Sequence, residues 1–161
     1  MRASVSSRWS PDRPSVLVVA CSDGRLQEAT DGFLASELGI ARYDRFYVPG
    51  GAGALAASGY DLARAQQMRR ECRYLIDLHR VTLVVLLMHG PIENGALEAA
   101  CADYRRKLPR ASVDQLREQQ VTDARQLMRQ RAKWAGGARV VVYRCEIGAG
   151  GLATFVDLAT D

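Results

Sequence analysis

The segment VTLVVLLM, at residues 81–88, is the feature that most constrains how this chain folds. Apolar and β-branched residues follow one another without the alternation expected of a strand that has one wet face. A continuous apolar run of this length is typical of a strand that is covered on both faces. It is far shorter than the roughly 20 apolar residues of a membrane-spanning helix. We therefore predict a buried strand in a sheet that has helices on both sides.

Similar segments alternate with helical patterns along the rest of the chain. Further strands are predicted at 15–20, 45–48, 138–147 and 152–159, and helices at 26–38, in the stretch ending near His79, at 95–107 and at 112–134. Strands that alternate with helices predict an α/β fold with a mostly parallel five-stranded sheet. The connection GAGG before the last strand is so short that this strand should be antiparallel. We predict an N-terminal arm at 1–14 and a single α/β domain at 15–161.

The composition indicates which properties are not expected of this protein. The net charge is +4, and the basic residues are scattered among 18 acidic ones, so nucleic-acid binding is not expected. The first residues lack the apolar core of a signal peptide, and the expected location is the cytoplasm, without membrane association. Four cysteines in such a chain do not indicate disulfides.

The cysteines fall into two groups. Cys72, Cys101 and Cys145 follow the apolar pattern of their predicted elements and are interpreted as small core residues. Cys101, for example, shares a helical stripe with Tyr104. Cys21 differs because it lies at the end of the first predicted strand, beside charged residues.

Cys21 and His89 each end an apolar strand. In open α/β sheets, sites form beyond the carboxyl ends of the strands. If the first and third strands are neighbours, this thiol and this imidazole lie side by side and can share a zinc ion. Asp23 follows Cys21 on the same turn, and Arg25 can hold it ionised through paired hydrogen bonds.

Two motifs carry a resemblance to a known family. ACSDGR resembles the Cys-x-Asp-x-Arg motif of β-class carbonic anhydrases, and LLMHGPIENGALEAA resembles their His-x-x-Cys-Gly-Ala motif. The resemblance implies a zinc enzyme, usually dimeric, that hydrates carbon dioxide to bicarbonate. It also implies that Cys21 and His89 are zinc ligands and that Asp23 and Arg25 form a catalytic dyad. Asp23 either ligates the zinc or yields its place to water.

The second motif lacks the cysteine of the family. Its position falls on Ile92 or on Asn94, depending on the alignment, and neither is a usual zinc ligand. Glu93 is the best candidate to replace it, because zinc accepts carboxylates. Cys101 is expected to point elsewhere, since a continuous helix would place it about 10 Å along the axis from Asn94. We therefore expect the zinc site to be weakened or empty. From the family resemblance, we expect the protein to be a homodimer.

Two alternatives to an active zinc lyase remain. One is an inactive, metal-poor relative that binds a small anion or a protein partner. The other is a nucleotide-binding α/β protein, because GGAGALAASG resembles a phosphate-cradling loop, although it lacks the Walker lysine. The family has Arg-Asn where this chain has Gly50 and Gly51. In every case, Asp23 and Arg25 are expected to form an ion pair, and the loss of Arg25 is expected to destabilise the fold.

Overall fold

The computed structural model describes residue 6, residues 9–58 and residues 61–158. Residues 1–5, 7 and 8 of the predicted N-terminal arm lie outside this part of the chain. The strands are β1 (Val16–Cys21), β2 (Asp44–Val48), β3 (Leu83–Pro91), β4 (Arg139–Ile147) and β5 (Ala153–Asp157). The helices are α1 (Gln27–Ser36), α2 (Leu62–His79), α3 (Ala102–Lys107), α4 (Val113–Arg129) and α5 (Arg131–Trp134).

The sheet has the order β2-β1-β3-β4-β5. All neighbouring strands are parallel except β4 and β5, which are antiparallel. The predicted five-stranded α/β architecture is confirmed, including the reversed last strand. The first and third strands are direct neighbours, as the interpretation of Cys21 and His89 required.

The core explains the uninterrupted apolar pattern of β3. Val84 and Leu86 pack on one face of the sheet, with residues of α2, α4 and α5. Val85 and Leu87 pack on the other face, with residues of α1. Since both faces are covered, successive side chains are buried irrespective of the face they point to. Among the described residues, no helix is both long and apolar enough to cross a membrane.

Two predicted helices are interrupted. The segment predicted as one helix at 112–134 is divided at Gln130 into α4 and α5. The division lets Trp134 fold back, and its indole N–H donates to the carbonyl of Leu127 at 3.2 Å. The helix predicted at 95–107 is replaced by a 3₁₀ turn at Leu97–Ala99 and the short α3. This second interruption decides the geometry of the candidate site.

Candidate metal centre

Cys21 and His89 meet at the carboxyl end of the sheet. Cys21 is the last residue of β1, and His89 lies near the end of β3, which pairs with β1 in parallel. Parallel neighbours end at the same edge of a sheet, so their last side chains emerge together. The adjacent placement predicted for these two residues is therefore found in the structure.

Cys101 joins them as the third member. The ligand atoms of Cys21, His89 and Cys101 all lie within 4.8 Å of one another. Cys101 is buried in a small apolar cluster, as predicted for a core residue. The prediction that its side chain points away from the site is wrong.

The reason for this error is the path of the backbone between Asn94 and Cys101. No continuous helix joins them, so a distance measured along a helix axis does not apply. Ala100 and Cys101 both have non-helical backbone angles, with ψ of 140° and 124°. These two residues redirect the chain, and Cys101 becomes the residue that precedes α3.

The two thiols share a hydrogen bond that polarises them. The Cys101 thiol donates to Cys21 and, with contributions from His89 and the N–H of Gly50, lowers the pKa of Cys21 to about 4 against the opposing effect of burial. The same hydrogen bond, together with burial, raises the pKa of Cys101, although the N–H groups of Tyr104 and Asp103 act in the other direction. The shared hydrogen bond thus favours the thiolate at Cys21 and keeps the proton on Cys101, from which a metal ion can displace it.

His89 is held firmly but has an unused nitrogen. The residue is 4% exposed. The backbone carbonyl of His89 accepts a hydrogen bond from Nε2 of Gln120 at 2.9 Å. Among the described residues, the buried Nε2 of His89 has no hydrogen-bond partner. Buried polar atoms are almost always satisfied, so this nitrogen is suited to an interaction outside the protein's own hydrogen bonds.

Asp23 and Arg25 form the predicted ion pair. Nε of Arg25 donates to Oδ1 of Asp23 at 2.9 Å, and Nη2 donates to Oδ2 at 2.5 Å. The backbone N–H of Arg25 also donates to Oδ1 at 3.1 Å, which caps the turn at Gly24–Leu26. These hydrogen bonds with Arg25 lower the pKa of Asp23 to about 2, so the carboxylate is ionised at neutral pH.

The stabilisation expected from Arg25 has to be corrected. The side chain of Arg25 is 71% exposed and that of Asp23 is 21% exposed. An ion pair in solvent contributes little to stability, because water screens the charges and each side chain loses entropy. Arg25 therefore orients Asp23, and its contribution to stability is expected to be smaller than a buried ion pair would give.

Glu93 lies apart from the three clustered ligands. It is exposed, in the loop that follows β3. In this loop, the N–H of Gly95 donates to the carbonyl of Ile92 at 2.9 Å, and the N–H of Asn94 donates to Asp114 at 3.3 Å. The structure therefore offers Cys101, and not Glu93, beside Cys21 and His89.

A cavity of about 620 Å³ adjoins the site. Asp23, Arg25 and His89 line its polar side, and Ile92 and Ile147 contribute to its apolar side. A small nonpolar molecule can therefore reach the carboxylate and the imidazole together.

The glycine-rich turn differs from a phosphate-binding loop. All five residues of the 3₁₀ turn at Gly51–Leu55 are buried, and the turn packs against β1, β3 and α2. A Cβ atom on Gly51 would lie 2.7 Å from the backbone nitrogen of Cys21. A loop packed in this way leaves no room for a phosphate group, which argues against the nucleotide-binding alternative.

Comparisons with known proteins give structural likenesses only. No protein-family model matches the chain, and no curated protein matches it significantly. A solved β-carbonic anhydrase of the fungal pathogen Aspergillus fumigatus is 17% identical, with a TM-score of 0.47, over 91% of this chain and 77% of that one. A carbonic anhydrase from Glaciozyma antarctica is 16% identical, with a TM-score of 0.49, over 95% of this chain and 86% of that one.

A third solved structure has a lower score. The β-carbonic anhydrase isoform I of the protozoan Trichomonas vaginalis is 13% identical, with a TM-score of 0.41, over 96% of this chain and 88% of that one. The site itself, rather than these distant likenesses, has to support a functional assignment.

Proposed function

We propose that this protein is a carbonic anhydrase-like zinc lyase that hydrates carbon dioxide to bicarbonate. Cys21, His89 and Cys101 would hold the zinc, and Asp23 with Arg25 would form the catalytic dyad. The observation that carries the proposal is the convergence of two sulfurs and one imidazole within 4.8 Å. The motif resemblance of ACSDGR and of the segment around His89 supports the choice of reaction.

The three side chains fit zinc by their chemistry. Zinc is bound in proteins by thiolate sulfur and imidazole nitrogen, and softer ligands favour it over magnesium or calcium. Two thiolates balance the charge of the ion. Nε2 of His89, which has no hydrogen-bond partner in the described part of the chain, is the kind of atom that a metal satisfies. Catalytic zinc sites typically use three protein ligands and keep the fourth position for the reaction. In this proposal Cys101 would supply the thiolate whose absence from the second motif suggested a weakened site.

The dyad has a defined task in this arrangement. When bound by Cys21, His89 and Cys101, zinc would supply positive charge that lowers the pKa of a water molecule beside it. Asp23, kept ionised by Arg25, accepts a hydrogen bond from the attacking water and directs its lone pair toward the carbon. As the new C–O bond forms, the O–H bond directed at Asp23 breaks, the proton passes through Asp23 to solvent water, and the product is bicarbonate. Because Arg25 donates to both carboxylate oxygens of Asp23, this carboxylate would orient the water and would not serve as a fourth ligand.

The surroundings of Asp23 suit both substrate and product. The apolar side of the cavity, which includes Ile92 and Ile147, is compatible with nonpolar carbon dioxide. The exposed guanidinium of Arg25 lies in the same cavity and favours an anionic product. Substrate entry and bicarbonate release can therefore use one opening.

The test is metal analysis combined with a hydration assay. Protein purified without chelator is expected to retain zinc in a 1:1 ratio and to accelerate carbon dioxide hydration in a stopped-flow indicator assay. Removal of zinc should abolish the acceleration, and its return should restore it. Protein that binds no zinc, or that binds zinc without accelerating hydration, would contradict the proposal and favour the inactive relative that binds an anion or a partner.

We also propose that the protein is a cytoplasmic homodimer in which the N-terminal arm lies across the partner. Nη1 of Arg13 donates to the carbonyl of Leu78 at 2.7 Å and fixes the base of the arm, whereas Trp9 is 86% exposed. A tryptophan in such a position is a typical hot spot of an interface.

Sedimentation at micromolar concentration should therefore show a dimer. Trp9→Ala is expected to raise the dimer dissociation constant at least about tenfold, as for an interface hot spot. Leu152→Ala, at a residue that is 70% exposed in the turn between β4 and β5, is the control and should leave the constant unchanged. A wild-type protein that sediments only as a monomer would exclude the homodimer.

A further inference from the structure

We infer that Gly53, together with Gly50, is a positioning residue for Cys101, because the missing side chains let the start of α3 approach the strand ends closely enough to deliver its sulfur. The inference rests on the proposed metal site, in which Cys101 is the third ligand. It concerns the buried turn at Gly51–Leu55 and the preceding Gly50, for which the proposed reaction has no other use.

Gly53 faces the ring of Tyr104. A Cβ atom on Gly53 would lie 2.4 Å from Cε2 and 2.7 Å from the hydroxyl oxygen of Tyr104, far inside van der Waals contact. Tyr104 follows Cys101 by three residues in the first turn of α3, and the N–H of the next residue, Arg105, donates to the carbonyl of Cys101 at 3.1 Å. A displacement of Tyr104 is therefore expected to move Cys101, the proposed zinc ligand, as well.

Tyr104 has little freedom to yield. It is 1% exposed, and its hydroxyl donates to Oδ2 of Asp123 at 2.7 Å. Asp123 in turn accepts hydrogen bonds from Ser58 at 2.7 Å and from Gln119 at 2.9 Å. A methyl group on Gly53 must consequently push α3 as a unit or break a buried hydrogen-bond network.

Gly50 makes the same kind of close approach to a second residue of α3. A Cβ atom there would lie 2.5 Å from Oδ2 of Asp103, which follows Cys101 by two residues. Arg64 holds Oδ1 of Asp103 at 3.0 Å, and this contact ties the first turn of α3 to α2. Lys107 donates to the carbonyl of Gly53 at 2.7 Å, so the turn and α3 are also joined directly.

The two glycines differ in what a substitution would reveal. Gly50 has a φ angle of 94°, which disfavours any other residue regardless of its surroundings. Gly53 lies outside this left-handed region, so alanine is acceptable to its backbone and only the contact with Tyr104 opposes it. Gly53→Ala is therefore the informative variant, and Gly137→Ala is its control, because a Cβ atom at Gly137 has no atom within 4 Å.

The experiment follows the second thiolate in the cobalt(II)-substituted protein. Gly53→Ala is expected to lose about half of the near-ultraviolet thiolate-to-cobalt absorption and to bind zinc at least about tenfold more weakly, as when support for a ligand is lost. Its circular dichroism should stay that of a folded protein. Gly137→Ala should match the wild type in all of these measurements. Unchanged absorption and affinity in a folded Gly53→Ala protein would overturn the inference.

A double-mutant cycle with Tyr104→Leu tests the stated cause. The smaller side chain makes room for the methyl group, so Gly53→Ala should weaken zinc binding much less in this background than in the wild type. Equal effects in the two backgrounds would exclude the contact with Tyr104. If the Gly53→Ala protein does not fold, the double variant with Tyr104→Leu tests the contact instead. A folded double variant would support a clash between the new methyl group and Tyr104, and an unfolded one would contradict it.

A metal-free measurement separates this inference from the proposed function. Mild oxidation with diamide is expected to link Cys21 to Cys101 in the wild type and in Gly137→Ala but not in Gly53→Ala, as judged by peptide mass spectrometry. If the wild type binds no zinc, the proposed function fails, whereas this pattern of cross-linking still supports the positioning role. Equal cross-linking in all three proteins would refute the positioning role, even if zinc is bound.

Discussion

Replacement of Cys101 by alanine is expected to remove zinc from the protein and with it the hydration of carbon dioxide. Loss of a partner that only orients a ligand typically lowers metal affinity by 10- to 100-fold, so loss of the ligand itself should lower it by more than about 100-fold. Zinc content after dialysis and competition with a chromophoric chelator measure the effect. A Cys101→Ala protein that retains zinc in a 1:1 ratio would show that Cys101 is only a core residue.

Cys145 provides a closely matched control for this substitution. Cys101 and Cys145 are both free and both 2% exposed, but only Cys101 belongs to the cluster. Each alanine variant therefore removes one buried sulfur atom, and the free energy of unfolding without metal should fall in both. Only Cys101→Ala should lose zinc. Equal loss of zinc from both variants would mean that general destabilisation, and not a missing ligand, explains the result.

The strands could be predicted from the sequence because their signal is local and strong. The apolar run that became β3 is buried on both faces, and that environment selects such residues whatever the neighbouring strands are. The meeting of Cys21 and His89 followed from topology alone, since parallel neighbouring strands end at one edge. These parts of the site depend on few tertiary details.

Cys101 was missed because periodicity does not report a break in a helix. Leu97, Cys101, Tyr104 and Leu108 have helical spacing, yet the chain between the first two is not a continuous helix. The acidic residue after Cys101, Asp103, was an available signal, because acids are enriched in the first turn of a helix. This signal would have started α3 after Cys101 and removed the argument based on distance along an axis.

The exposure of Arg25 was also beyond sequence reasoning. Spacing alone showed that Asp23 and Arg25 can pair, and the structure confirms the pair. How much solvent reaches it depends on which residues cover the turn, and irregular segments carry no periodic pattern from which burial can be inferred. The exposure decides the role of the pair, because a solvated ion pair orients a carboxylate without contributing much to stability.

The second large effect is expected for Asp23→Asn, which should keep the zinc and lose most of the hydration activity. Asparagine retains the size of the side chain and one acceptor oxygen, but it lacks the charge and the second carboxylate oxygen that Arg25 holds. Removal of a group that positions or accepts a proton commonly costs 10²- to 10⁴-fold in rate, so a fall on the order of 100-fold in kcat is expected. The midpoint of thermal unfolding should change little, because Arg25 is largely in solvent.

Asp77→Asn is the control for this prediction. Asp77 also accepts a hydrogen bond from an exposed arginine, Arg73, at 2.7 Å, but the pair lies on α2 and does not line the cavity beside the candidate metal centre. If exposed aspartate–arginine pairs matter only for solubility or folding, the two asparagine variants should behave alike. If Asp23→Asn loses zinc together with activity, Asp23 is a ligand and Arg25 does not hold it away from the metal. Retention of zinc with loss of turnover, in Asp23→Asn alone, is the result that assigns Asp23 to the reaction, because only a group acting on the substrate or the attacking water separates binding of the metal from its use.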